Sequence, residues 1–324
     1  MSMVTDDNRG MNIQSSIEGS AYLSHLGVMR VKGADAARFL HSQLTSDFAL
    51  LGSSQARLAG YCSAKGRLLA SFLAWKGGDD ELLLVCSASL LPATLKRLSM
   101  FVLRMQCKLS DASDEVRLLG LAGHAAEEAL ADLAVWGKRD DADGWTIRLP
   151  DAAGTRRCLR AMPAAGGGNN QRPVTALKLD EWQWLEVQSG VAWVEVATVD
   201  QFVPQMLNFE LIGAVDFQKG CYPGQEVVAR SQYRGTLKRR LFLFDTEAPA
   251  SAGEEVFHSA DPDQPAGMVV NAAPNPRASG SCALVEVKLA ALQEGSLHLG
   301  SPQGAAMRRR DLPYDVPFEL APTV

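Results

Sequence analysis

The chain has 324 residues, 47% hydrophobic and 21% charged, with a formal net charge of −5. This is the composition of an ordinary globular protein with room for two or three domains. Its acidic balance excludes a global attraction to nucleic acid or an anionic membrane, so any RNA contact needs a local basic patch.

Six cysteines, at 62, 86, 107, 158, 221 and 282, include no C-x-x-C pair. That spacing excludes a disulfide framework and a zinc or iron–sulfur ligand set, and it suits a reducing, cytosolic compartment. Cys86 and Cys107 fall in apolar runs and read as core. Residues 1–20 are polar, with Asp6-Asp7 and no apolar h-region, and read as a disordered lead-in rather than a signal peptide. No apolar run reaches transmembrane length, so no membrane partner is expected.

Tyr22–Val31 reads as a strand pair folded at Gly27, and Ala34–Leu44 as a short amphipathic helix. Leu58–Cys62, Leu68–Trp75 and Leu82–Ser87 have strand character, with Gly77-Gly78-Asp79-Asp80 as a hairpin turn. Leu90–Leu103 places Leu91, Leu95, Leu98 and Val102 along one helical face. Antiparallel hairpins alternating with helices point to an α+β lobe over 21–110.

A second α+β lobe is expected over 111–240: Val116–Leu121, a helix from Ala125 to Val135, and strands at Trp145–Leu149 and Arg157–Met162. Ala164–Asn170, with three consecutive glycines, reads as a surface loop. Beyond Pro173, Thr175 could cap a helix running to about Gln188 and ended by Gly190. Trp182 and Trp184 on that helix, and Trp193 after it, are expected core anchors. From 241 to 324 come short strands, Leu241–Phe244, Glu255–Phe257, Gly267–Asn271 and Cys282–Val287, then a Pro-rich tail; turn spacing predicts a small β-barrel.

The chemically distinctive stretch is Lys219-Gly220-Cys221-Tyr222-Pro223-Gly224-Gln225-Glu226, continued by Val227-Val228-Ala229-Arg230. Pro223 presets φ for a first helical turn, and Gln225 could complete a capping box with Tyr222 at the N-cap. Cys221 would then lie just outside a helix N-terminus, beside Lys219, and both features favour thiolate over thiol. The plainer reading is a small buried hydrophobe followed by a Pro-Gly turn; the coincidence of Lys219 and a helix start favours the reactive one. The five histidines carry no H-x-x-x-H or H-E pattern, and neither G-x-S-x-G nor a paired-carboxylate motif occurs. No metal centre is expected.

K-G-C-Y-x-G-Q-E resembles the defining motif of the YgfZ family of folate-binding proteins, related in fold to the aminomethyltransferase (T-protein) of the glycine cleavage system. Pro204-Gln205-Met206-Leu207-Asn208 resembles that family's P-Q-x-x-N segment. Val228-Ala229-Arg230, Tyr233-Arg234-Gly235 and Lys238-Arg239-Arg240-Leu241 resemble its V-A-R…Y-R-G…K-R-R-L run.

The resemblance implies an α+β, aminomethyltransferase-like folate-binding core of two lobes followed by the small barrel. It also implies tetrahydrofolate as ligand, and support for assembly or repair of iron–sulfur enzymes, tRNA-modifying radical enzymes included. Iron–sulfur assembly proteins or client enzymes are the implied partners. Cys221 and Lys219 would carry the thiol chemistry. Trp184, Trp193, Asn208, Tyr222, Gln225, Glu226 and Arg230 would line or fix the folate site. Aligned on Gly190, the T-protein's R-x-E-x-G stretch puts Gln188 where a Glu holds the pterin, and Glu186 where an Arg stands.

Ala64-Lys65-Gly66-Arg67 resembles the family's x-x-G-R turn. Its Arg67 would meet the glutamate tail of a folate, or the whole would be an exposed β-turn. The basic run Arg230, Arg234, Lys238, Arg239 and Arg240 is either a solvated face or an anion site for a folate tail or tRNA backbone. Arg308-Arg309-Arg310 reads as surface. The T-protein's catalytic N-x-x-D pattern has no counterpart near Leu82–Val85. An accessory factor is therefore expected, with a folate-dependent one-carbon (aminomethyl) transferase as the alternative.

Overall fold

The computed structural model describes residues 17–164, 175–233 and 237–317. Most of the expected lead-in, the glycines of the 164–170 loop, Pro173 and Arg234-Gly235 lie outside the described residues. The lead-in ends earlier than expected, because Ile17 is buried and the first strand begins at Gly19.

The chain opens with β1 (Gly19–Tyr22), β2 (Leu26–Lys32), α1 (Ala36–Gln43), β3 (Ala56–Cys62), β4 (Leu68–Gly78), β5 (Glu81–Ser87), α2 (Leu91–Ser99) and β6 (Lys108–Asp111). All these strands except β1 form one antiparallel sheet, ordered β3-β4-β5-β2-β6. Its central strands are covered on both faces, which is why β5 reads as an unbroken apolar run. Leu82, Leu84 and Cys86 face the helices, against Phe39 and Leu40 of α1 and Leu98 of α2. Leu83 and Val85 face the middle of the molecule. Cys86 is fully buried, whereas Cys107 is half-buried.

Tyr22–Val31 is not a hairpin folded at Gly27. That glycine lies inside β2, where an added β-carbon would fall 2.9 Å from Leu91 Cδ2 and 3.3 Å from the Ala88 Cα. It lets α2 approach the sheet and turns nothing. β1 instead leaves the lobe and pairs antiparallel with a later strand, Gly19 opposite Ala122 and Tyr22 opposite Leu119.

That partner is β7 (Val116–Ala122), followed by α3 (His124–Leu130), β8 (Lys138–Asp141), β9 (Gly144–Ala152), β10 (Thr155–Pro163) and α4 (Leu179–Gln188). The second sheet runs β1-β7-β10-β9-β8. α3 stops short of the expected Val135 because Ala131 leaves helical geometry at φ 45. It covers one face, Ala126 and Leu130 packing on Leu121 and Cys158. α4 covers the other through Trp182, whose ring lies on Gly120 so closely that a β-carbon there would fall 2.6 Å from it. The Arg157 guanidinium sits 5.3 Å from the centre of the same ring. Truncating a core tryptophan of this kind costs about 3–5 kcal/mol.

After α5 (Gln225–Tyr233), β11 (Arg239–Thr246), β12 (Glu255–His258), β13 (Asp261–Pro274), β14 (Ser281–Lys288), β15 (Leu297–Leu299) and β16 (Ala306–Arg310) form a closed barrel ordered β11-β14-β13-β12-β15-β16. The expected barrel is present. β15 and β16 occupy what reads as tail in the sequence, and β16 closes the barrel by pairing with β11, Met307 opposite Thr246. Arg308 and Arg310 are exposed and pair with Asp245. A single apolar core joins the three units: Trp75 and Val85 of the first, Leu118 and Leu159 of the second, and Leu243, Val270 and Leu284 of the barrel. Among the described residues no helix is long and apolar enough to cross a membrane.

Candidate ligand cleft and cysteine loop

A cleft of about 300 Å³ opens where the three units meet. Leu26, Ser87 and Ala88 come from the first lobe, Glu186 and Val187 from α4, Val191, Trp193 and Glu195 from the segment after it, and Asn271 and Ala272 from β13. Its polar groups are ordered by one another. Glu186 accepts from the Trp182 indole N–H at 3.0 Å and pairs with His25 Nε2 at 2.9 Å. Asn271 donates to Glu195 at 2.6 Å and to the Trp193 carbonyl at 2.9 Å, and accepts from the Trp193 N–H at 2.9 Å. Burial pushes the Glu195 carboxyl up, only partly offset by Asn271 and His25. Burial pulls His25 down, but the Glu186 carboxylate beside it outweighs this, and the imidazole rises above its ordinary 6.5. His25 Nδ1 is buried without a partner.

Two residues of α4 land elsewhere than expected. Positions two apart on a helix point to nearly opposite sides, so with Glu186 in the cleft, Gln188 is turned away. It lines a separate hollow with Trp184, Arg277, Cys282 and Leu312. Trp184 is buried there, its indole N–H donating to Cys282 Sγ at 3.1 Å under the Arg277 guanidinium. Of the expected ligand-facing residues, Trp193 lines the cleft. Glu186, at the position that corresponds to the T-protein's Arg, brings a carboxylate to the cleft instead.

Cys221 is exposed and lies on a loop clipped to the first lobe at both ends. On one side Lys219, 7% exposed, donates through Nζ to the backbone carbonyls of His41 and Leu44, the latter at 2.9 Å. It thus caps the carboxyl end of α1, where unpaired carbonyls favour a cation. Its ammonium also lies 4.7 Å from the centre of the Tyr222 ring. Burial lowers Lys219 to about 8. On the other side, Gly224 is seated on the β3–β4 turn at Ser63 and Gly66. Tyr222 is not an N-cap: its side chain is buried, its carbonyl accepts from the Gln225 N–H at 3.2 Å, and α5 starts at Gln225 itself. Cys221 and its neighbours do not line the cleft between the units.

Of the remaining expected site residues, Asn208 and Arg67 hold the scaffold, and Glu226 and Arg230 lie on the surface. Asn208 is fully buried in a left-handed conformation (φ 58), donates to the Leu241 carbonyl at 2.9 Å and accepts from Arg240 at 3.4 Å. Gln205 donates to the Val228 carbonyl at 2.7 Å, so the P-Q-x-x-N segment ties α5 to the first barrel strand. Arg240 forms a buried ion pair with Glu210. Glu226 and Arg230 pair with each other at 2.7 Å on the exposed face of α5, an arrangement of little energetic weight. Arg67 is half-buried, with its guanidinium on the Gln201 carbonyl.

Four groups around these sites escape sequence reasoning: His25, Glu195, His41 and Asp47. Each becomes notable only through a neighbour brought by the fold, and no local spacing marks them.

Two α+β lobes, a helix laid between the second sheet and the barrel, and that closing barrel define the architecture of the glycine-cleavage T-protein. The chain superimposes on the glycine cleavage system aminomethyltransferase T of Bartonella henselae with a TM-score of 0.73, at 19% identity, over 92% of this chain and 86% of that one. Residues 19–144 match the GCVT N-terminal domain family. The chain is 35% identical to the tRNA-modifying protein YgfZ of Edwardsiella ictaluri over 231 residues, 66% of this chain and 67% of that protein. It is 31% identical to the protein of that name from Escherichia coli O157:H7 over 239 residues, 70% and 72% of the two chains. It belongs to the YgfZ family.

Proposed function

We propose that the chain binds a reduced folate in the cleft between its three units. We further propose that it serves tRNA modification as an accessory factor for iron–sulfur enzymes, with Cys221 as its working thiol. The observation that carries the first part is the pair of carboxylates, Glu186 and Glu195, facing a crevice walled by Leu26, Val187, Val191, Trp193 and Ala272. A pterin is a flat ring with an amino group and a ring N–H along one edge. Carboxylates suit that edge as acceptors, and apolar walls suit its faces. The relatives named for tRNA modification support the wider role, as does an exposed thiol on a loop anchored at both ends. The cleft and the thiol are separate features, so the folate and the sulfur have separable tasks.

Calorimetry with tetrahydrofolate tests the cleft. Removing one charged acceptor is expected to weaken binding about 10- to 100-fold in Glu186→Gln, with Gln188→Ala unchanged. Equal affinity of Glu186→Gln and parent would remove the cleft from consideration. Cys221→Ala is expected to keep folate affinity and to lose rescue of iron–sulfur enzyme activity in a strain lacking the gene. Full rescue by that variant would end the thiol role.

A further inference from the structure

The residue before Cys221 faces a histidine. A β-carbon placed on Gly220 would fall 3.2 Å from His41 Nε2, and Lys219 donates to the backbone carbonyl of the same histidine. Lys219 is hydrogen-bonded to His41, the Gly220 backbone faces its ring, and Cys221 is the next residue of the loop. The other ring nitrogen, Nδ1, is 3.0 Å from Asp47 Oδ1. Burial pushes the Asp47 carboxyl up, but the Leu50 N–H and His41 outweigh it and hold it below the ordinary range. Asp47 is thus an anionic acceptor that fixes Nδ1 as the protonated nitrogen, leaving Nε2 with its lone pair toward the cysteine loop.

We propose that His41, oriented by Asp47, is the proton acceptor for Cys221. The S–H bond breaks, an N–H bond forms at Nε2, and the electron pair stays on sulfur; the imidazolium charge is offset by the Asp47 carboxylate. No oxidant or further reactant enters. The inference rests on reading Cys221 as the working thiol, and it names the base that Lys219, occupied with two carbonyls, does not supply.

The charged groups around this pair come from three elements. Asp47 follows α1, and Arg57 of β3 donates to the Asp47 backbone carbonyl. Lys219 lies in the electrostatic reach of Asp47, Asp216 and Cys221 together. On α1 itself Arg38 is turned to Asp35. Asp47 and Asp216 stand against Lys219 and Arg57, so the fixed charges of the cluster balance, and a specific proton acceptor is what the geometry adds.

The test is the rate of iodoacetamide alkylation at Cys221 against pH, localised by mass spectrometry, with Cys221→Ser as the blank. Burial pushes Cys62, Cys86, Cys158 and Cys282 up to about 12, which keeps them out of the signal. At about pH 7, His41→Gln is expected to react about ten-fold more slowly than parent, with the gap closing by about pH 10, where hydroxide removes the thiol proton unaided. Asp47→Asn, which keeps an acceptor for the Leu50 N–H, is expected to shift the profile in the same direction by less. A profile unchanged in His41→Gln, or lowered equally at every pH, would overturn the proposal; a thermal melt matching the parent assures that the fold is kept. Rescue by Cys221→Ala with the alkylation profile intact would defeat the functional reading and leave the His41 assignment standing.

Discussion

Gly66 and Gly224 face each other across the contact between the β3–β4 turn and the start of α5, both at positive φ (71 and 80). A β-carbon on Gly224 would fall 2.7 Å from the Gly66 Cα, and one on Gly66 would fall 2.8 Å from Val227 Cβ. The Pro-Gly pair after Cys221 and the glycine of the A-K-G-R turn are two halves of one contact, and it fixes where the cysteine loop sits.

Gly224→Ala is expected to cost about 3 kcal/mol, combining the left-handed backbone penalty with the clash. Gly154 has a similar φ (77) with nothing within 4 Å of its would-be β-carbon, so Gly154→Ala should show the backbone term alone, about 1 kcal/mol. Urea unfolding of both variants measures the difference. Equal losses would mean that the contact with Gly66 contributes nothing.

His25 gives the cleft a pH-dependent stability. Its folded value lies above the ordinary 6.5 because Glu186 outweighs burial. The stabilisation from the protonated imidazole is therefore complete below 6.5 and is lost as pH rises through the folded value. The stability gap between parent and His25→Gln should be wider at about pH 5.5 than at about pH 9. A gap constant across that range would show that the His25–Glu186 contact is not ionic.

Lys219 behaves in the opposite sense. Its folded value of about 8 lies below the ordinary 10.5, so between these values the unfolded chain holds a proton that the folded chain has released. Stability of the parent relative to Lys219→Met should therefore rise with pH across that window and level off above it. A flat difference would place the ammonium in better solvent contact than its 7% exposure indicates.

The cysteine motif was legible because its residues lie within one turn and loop, where spacing is geometry. The two-lobe core and the barrel were legible from alternation and turn chemistry. What escaped depended on distance along the chain. Which of Glu186 and Gln188 faces the cleft is settled only when Trp182, packed on Gly120, fixes the rotation of α4. β1 is only four residues, Gly-Ser-Ala-Tyr, and nothing local says that its partner is β7. Asn208 resembles a ligand residue in the motif, yet its amide is consumed between Leu241 and Arg240. His41 and Asp47 acquire meaning only when the loop from Lys219 to Cys221 folds back on α1.

The excursion of β1 makes the first lobe an insertion between two adjacent strands of the second. The chain lays down an edge strand at Gly19–Tyr22, builds a whole sheet and two helices, and only then makes β7 to receive it. During synthesis that edge waits unpaired while the intervening lobe is completed, so closing the second sheet is a late, long-range event. A cut placed at the apparent lobe boundary would separate Tyr22 from Leu119 and leave β7 with an open, aggregation-prone flank. The two lobes are thus a single unit of expression, to be produced whole or not at all.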